Sequence, residues 1–144
     1  MSDQTLFSKI IAGEIPSHRV ASGDNWYAFL DIYPRREGHT LVVPHQPVTN
    51  LQDLTEFEIT GLFTGVQIVQ SKLTEVFNTV DFTICIHDGP LAGQEVPHVH
   101  VHVIPRTSGD GGRTLMAMWP DNHSIGEPNH QTLASLASRL NEVQ

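Results

Sequence analysis

His98-Val99-His100-Val101-His102-Val103 is the stretch on which the reading of this chain turns. Along an extended strand, side chains alternate faces with a period of two. The register therefore puts three imidazoles on one face and three valines on the other. Burial against a core explains the valines. It does not explain the histidines, because each buried imidazole must find hydrogen-bond partners. An exposed polar strand face also accounts poorly for the same residue three times. Two chemical readings stay open from the residues alone. In one, His-x-His on a strand presents two nitrogens to a metal such as zinc, with Glu95 and Asp88 available as carboxylates. In the other, the middle imidazole, His100, is a nucleophile toward phosphorus, and its neighbours donate protons and stabilise charge. The preceding loop, Gly89-Pro90-Leu91-Ala92-Gly93-Gln94, offers backbone N–H groups and a side-chain amide to phosphate oxygens. Arg106, just past the strand, reads as a solvated strand-end charge.

Working outward, Leu6-Phe7-Ser8-Lys9-Ile10-Ile11 repeats apolar residues at helical spacing, with Gly13 and Pro16 beyond as stops. Asn25 to Ile32 is a strand candidate, and His39 to Pro44 is a second that pairs back through a turn at Pro34–Gly38. Thr55 and Glu58 form a capping box, with Leu54 and Ile59 placed for a hydrophobic staple. Leu62, Val66, Val69, Leu73 and Val76 then recur through a long helix from Thr55 to Phe77. Asp81–His87 and Val96–Ile104 are the remaining strands. Ser108–Gly112 reads as a mobile loop. A C-terminal helix carries Leu133, Leu136, Ala137 and Leu140 on one face. Strands, a helix, strands and a helix in that order predict an α+β fold on an antiparallel sheet. No linker or repeat divides the 144 residues, so a single domain over 1–144 is expected, with its core at 5–106 and a tail at 107–144.

Composition bounds the partners. A hydrophobic fraction of 39% describes a chain able to bury a core. Eight Lys and Arg against sixteen Asp and Glu give a formal charge of −8, which argues against binding a nucleic-acid backbone. A small anionic ligand in a locally positive pocket stays compatible. No apolar run is long enough for a membrane helix, and the N-terminus lacks the pattern of a leader, so cytoplasmic residence is expected. The lone cysteine, Cys85, lies among apolar residues and reads as a small core side chain.

Gly93-Gln94-Glu95-Val96-Pro97-His98-Val99-His100-Val101-His102-Val103-Ile104-Pro105-Arg106 resembles the signature of the histidine triad (HIT) family. The resemblance extends through Phe7–Pro16, Ala28–Ile32 and Gly38–Pro44, in the family's order, and covers residues 5–106. It implies a HIT-like fold, with an antiparallel sheet of about five strands, one long helix and one or two short ones. It also implies a homodimer built on the long helix and an adjacent strand. It implies a hydrolase acting on a substituted purine nucleoside monophosphate: a phosphoramidate, acyl adenylate or dinucleoside polyphosphate. His100 would be the nucleophile, oriented by the main-chain carbonyl of His98. The phosphate would meet His87, Gly93, Gln94, Glu95, His98 and His102. Asp31 would hold the ribose, and Leu6, Phe7, Ile10, Phe29 and Ile32 would line the base slot. His39 reads as a structural histidine behind the site. Some members hold a structural zinc where this chain has Thr5, Ser8, Pro47 and His98. Only one of those four is a ligand type, so no zinc and no cofactor are expected. Position 87 is commonly Asn or Gln in the family and is His here. The rival functions are a nucleotide-binding regulator with incidental hydrolysis and a metal-dependent hydrolase.

Overall fold

A computed structural model of the protein describes residues 4–119, 121 and 126–143. Residues 1–3, on which the leader reading partly rests, lie outside these. The chain forms two compact units, Met1–Asp110 and Gly111–Gln144. The first unit begins with helix α1, Leu6–Ile11, capped by the Thr5 side chain, which accepts from the Ser8 N–H. Strands β1 (Arg19–Ser22), β2 (Trp26–Leu30) and β3 (Thr40–Pro44) follow, then the long helix α2 (Glu56–Phe77), β4 (Phe82–Cys85) and β5 (Val101–Pro105). The five strands form one sheet in the order β1-β2-β3-β5-β4, and every pairing is antiparallel.

The capping box at Thr55 and Glu58 forms in full, satisfying two orphan amides at the start of α2. The helix ends at Asn78, whose left-handed conformation closes the last turn. Leu62, Val66, Val69 and Leu73 point from α2 into a core with Trp26, Ala28, Val42, Val99, Val101 and Val103. Gly65 permits that approach, because a Cβ there would stand 2.6 Å from the Trp26 ring. The opposite face of the sheet is covered by α1, which buries Phe7 and Ile10 against Phe29, Leu41 and Val43. Burial of each triad valine contributes about 1.5–3 kcal/mol, so the valine face fixes the register and leaves the histidine face for chemistry.

The structure departs from the expected elements in three places. The strand expected over Val96–Ile104 starts at Val101 and ends at Pro105. Pro97 has no N–H to donate, the His98 N–H turns back to the Val96 carbonyl, and the Val99 N–H leaves the ladder for the Val48 carbonyl. Strand β1 was not foreseen; it is a four-residue edge strand whose register shifts between Arg19 and Ala21. The loop expected to be mobile at Ser108–Gly112 is anchored through Asp110, which is only 5% exposed. Arg106 grips that carboxylate with two bonds of 2.9 Å, Arg36 adds a third contact at 3.0 Å, and the Thr107 N–H donates to it as well. Arg106 also donates to Thr83 Oγ1. It is a clasp between strand end and loop rather than a solvated charge.

The second unit contains a short 3-10 turn, Leu115–Met118, and helix α3, His130–Asn141, capped by Asn129. Leu133, Leu136 and Leu140 are exposed. Among the described residues no helix is long and apolar enough to cross a membrane.

Candidate active site

Five imidazoles gather on the α1 side of the sheet, and hydrogen bonds fix the protons of four. His98 is fully buried. Its Nε2 lies 2.8 Å from the Pro44 carbonyl, which can only accept, so Nε2 carries the proton. Its Nδ1 must then accept, and the Thr5 hydroxyl, 2.6 Å away, donates to it. His100 Nδ1 lies 2.8 Å from the main-chain carbonyl of His98 and donates to it. That leaves the His100 Nε2 with a free lone pair. The Phe7 ring meets both histidines edge-on, with centroids 5.6 and 5.0 Å away, and shields them from solvent.

A second chain of bonds runs from the β2–β3 turn to His102. The Arg35 N–H donates to His39 Nδ1 at 3.1 Å. With Nδ1 accepting, neutral His39 carries its proton on Nε2, which donates to His102 Nδ1 at 2.9 Å. His102 must therefore hold its own proton on Nε2. That atom is buried and has no hydrogen-bond partner among the described residues. A buried orphan donor costs about 1–3 kcal/mol, which is strain that an anionic ligand would relieve. His102 stands 5.0 Å from His100, ring centre to ring centre.

Burial holds these rings neutral. It is the largest cause of the lowered pKa of His39, His98 and His100. His102 is pushed down from 6.5 to about 4, by burial first and then by neighbouring histidines. Neutral His100 is the form with a nucleophilic nitrogen.

The donor atoms of Asp31, His39 and His102 lie within 4.8 Å of one another, close enough to suggest a cation site. The hydrogen bonds oppose it. A metal on His39 Nε2 would force the proton onto Nδ1, which faces the Arg35 N–H. The zinc positions fit no better, since both ring nitrogens of His98 are engaged and Thr5 and Ser8 cap α1.

The HIT domain model matches residues 12–109. The chain belongs to the histidine triad family. It is 40% identical over 142 residues to the asymmetrical bis(5'-nucleosyl)-tetraphosphatase of Schizosaccharomyces pombe, covering 99% of this chain and 74% of that one. It is 33% identical over 135 residues to the adenosine 5'-monophosphoramidase of Saccharomyces cerevisiae, covering 91% and 82%. A crystal structure from Streptococcus mutans UA159 superposes with a TM-score of 0.85 at 31% identity, covering 99% of this chain and 86% of that one. The α+β HIT-like fold is thus common to sequence, structure and relatives.

The residues expected around the triad divide into several groups. Among the base-slot residues, Phe7, Ile10 and Phe29 are buried in the core under α1, whereas Leu6 and Ile32 are 46% and 68% exposed. Asp31 Oδ1 accepts from the Tyr33 N–H, so half of the carboxylate serves the turn; Oδ2 lies 3.7 Å from His39 Nε2. His98 was expected among the phosphate ligands, but its ring is fully buried and spoken for on both nitrogens, so its part is to position. Gln94 is likewise committed: Oε1 accepts from the Gly89 N–H and Nε2 donates to the Thr49 carbonyl. The Gly93 and Gln94 amides close the loop's own turns, onto Pro90 and Gly89. This leaves the loop a rigid wall rather than a free set of donors. Glu95 is exposed at its end, and His87 lies against His102 with ring centres 5.2 Å apart. Sequence reasoning missed Thr5 as the partner of His98 and undervalued His39. Their contacts span 93 and 63 residues, with no local pattern to announce them.

Proposed function

We propose that this protein is a nucleotide hydrolase that cleaves a phosphorus–nitrogen or phosphorus–oxygen bond of a substituted nucleoside monophosphate through a nucleotidyl adduct on His100. The observation that carries the reading is the preset tautomer of His100, whose Nδ1–H is held by the His98 carbonyl. The Nε2 lone pair attacks phosphorus, the substituent departs, and water then releases the nucleotide. His102 Nε2–H donates to a phosphoryl oxygen as charge develops there, a role in which one preorganised donor is worth about 10²–10³ in rate. Asp31 Oδ2 accepts from the ribose hydroxyls, and a purine lies between exposed Leu6 and Ile32 over the Phe7 and Phe29 floor. The relatives named above act on a dinucleoside tetraphosphate and on an adenosine monophosphoramidate, so both substrate types belong in the assay.

The test is brief incubation with each substrate, acid quench, and intact-protein mass measurement. An added nucleotidyl mass is expected for wild type and is lost in His100→Asn, along with turnover. Turnover by His100→Asn within about tenfold of wild type, or an adduct mapped to His98 or His102, would refute the assignment. We further propose a cytoplasmic homodimer. Phe57, Phe63 and Val76 of α2 are exposed while Leu62, Val66 and Val69 fill the core, so the helix carries a second apolar surface.

A further inference from the structure

Four of the five imidazoles at the site have their protons pinned by directional bonds, and burial keeps those four neutral. None of them can readily hand a proton to a departing group and take it back. His87 differs. It is half-buried and tilted against His102 at 5.2 Å, and among the described residues its ring nitrogens make no hydrogen bond. Opposite it stands Gly93, where a Cβ would come 3.5 Å from His87 Nδ1, so the loop leaves the ring uncrowded. Gly93 sits at φ +98°, a conformation that favours glycine. The ionisable side chains that interact with His87 include His100, just before β5, and His102 on β5, with Asp88 next to it in sequence. Asp88 is engaged through Oδ1 with the Leu51 N–H.

We infer that His87 is the general acid for the leaving group, so that the site takes nucleotidyl substrates whose leaving group is too basic to depart unprotonated, an amine above all. This rests on the proposed attack by His100. In the first step the His100 Nε2–phosphorus bond forms and the phosphorus–nitrogen bond of the substrate breaks. The departing nitrogen takes the bond's electron pair and a proton from the His87 imidazolium, leaving His87 neutral. In the second step water adds to phosphorus and gives its proton to His87, the bond to His100 breaks, and the nucleoside monophosphate leaves.

Two substrates with the same nucleotidyl group separate this role from binding: an alkylamidate of adenosine monophosphate, and its p-nitrophenyl ester, whose leaving group departs as a stable anion. General acid catalysis contributes about 10²–10⁴-fold. His87→Gln keeps a polar donor but no exchangeable charge. It should lower the ratio of amidate to ester rates of adduct formation, read as the pre-steady-state burst before the shared hydrolysis step, by about 10²-fold, while the ester still forms the adduct on His100. Parallel loss of adduct formation on both substrates, or an unchanged ratio of the two burst rates, would overturn the assignment of His87 while leaving the nucleophile intact. Absence of the adduct with the ester in wild type would overturn both.

Discussion

The relay from Arg35 through His39 to His102 makes a quantitative demand. Substituting His39→Phe keeps an aromatic ring of similar outline but removes the donor to His102 Nδ1. The structure gives that donor one role, to bias His102 toward the tautomer whose Nε2 carries the proton. One such hydrogen bond is worth about 0.5–1.5 kcal/mol, which corresponds to a bias of up to about tenfold. The freed ring would spend much of its time with Nε2 unprotonated, facing a phosphoryl oxygen lone pair to lone pair. Removing a bias of about tenfold lowers the fraction of His102 in the competent tautomer from about nine-tenths to about half, so nucleotide hydrolysis should slow by roughly twofold, mainly in kcat, far short of the 10²–10³ expected for removing the donor outright in His102→Ala.

The decisive measurement is the double variant. If His39 acts only through His102, His39→Phe/His102→Ala should be no slower than His102→Ala alone, because coupled residues give non-additive effects. Steady-state kinetics of all four proteins close the cycle, with thermal melts to show that each is folded. His39→Gln, which retains an N–H donor, should recover part of the loss. Multiplicative losses in the double variant would show that His39 contributes independently, and wild-type rates in His39→Phe would show that the tautomer is set by something else.

Asp31→Ala should weaken nucleotide binding roughly ten- to a hundred-fold, since hydrogen bonds to a charged group are worth about 1.5–3 kcal/mol; unchanged affinity by calorimetry would leave Asp31 with its turn bond to Tyr33 alone. The four buried histidines have pKa values below their ordinary 6.5, so the folded chain resists protonation that the unfolded chain accepts. Stability is then full above about pH 6.5 and falls as pH drops toward 4, because more protons bind the unfolded state in that window. Urea midpoints at pH 7 and pH 5 check the sign, and an equal or higher midpoint at pH 5 would contradict it. Light scattering at micromolar concentration should report twice the chain mass, and Phe57→Glu together with Val76→Glu should shift it to the monomer; a wild-type monomer would remove the homodimer.

The elements with strong local signals were legible in the sequence. Helix α2 announced both its capping box and its buried stripe, because a cap is set by residues three apart and a stripe by residues three and four apart. The strand at Thr40–Pro44 was equally plain, since every residue in it is buried. The alternation of His98 to Val103 gave the two faces correctly, although only the second half of the stretch enters the sheet. Local patterning failed where a residue's meaning depends on one distant partner. Arg106 looked like a strand-end charge because Asp110 looked like a turn residue; together with Arg36 they form a clasp whose members come from two separate loops. Edge strand β1 carries just one fully buried side chain, Ala21, too little periodicity to be read.

The same distinction explains why the triad was easier to find than its chemistry. Three histidines at alternate positions are a sequence fact, but which nitrogen of each carries the proton is settled by groups 93, 63 and 54 residues away: the Thr5 hydroxyl, the His39 imidazole and the Pro44 carbonyl. His39 immediately precedes β3 and Pro44 is its last residue, so the two ends of the strand set both outer histidines of the triad. The middle one is set by the His98 carbonyl two residues before it. A shift of β3 by one residue against β5 would therefore exchange core and site faces and would also break both outer bonds at once. The buried run of β3 and the valines of β5 that hold this register are thus the means by which an apolar core specifies the protonation state of a polar site.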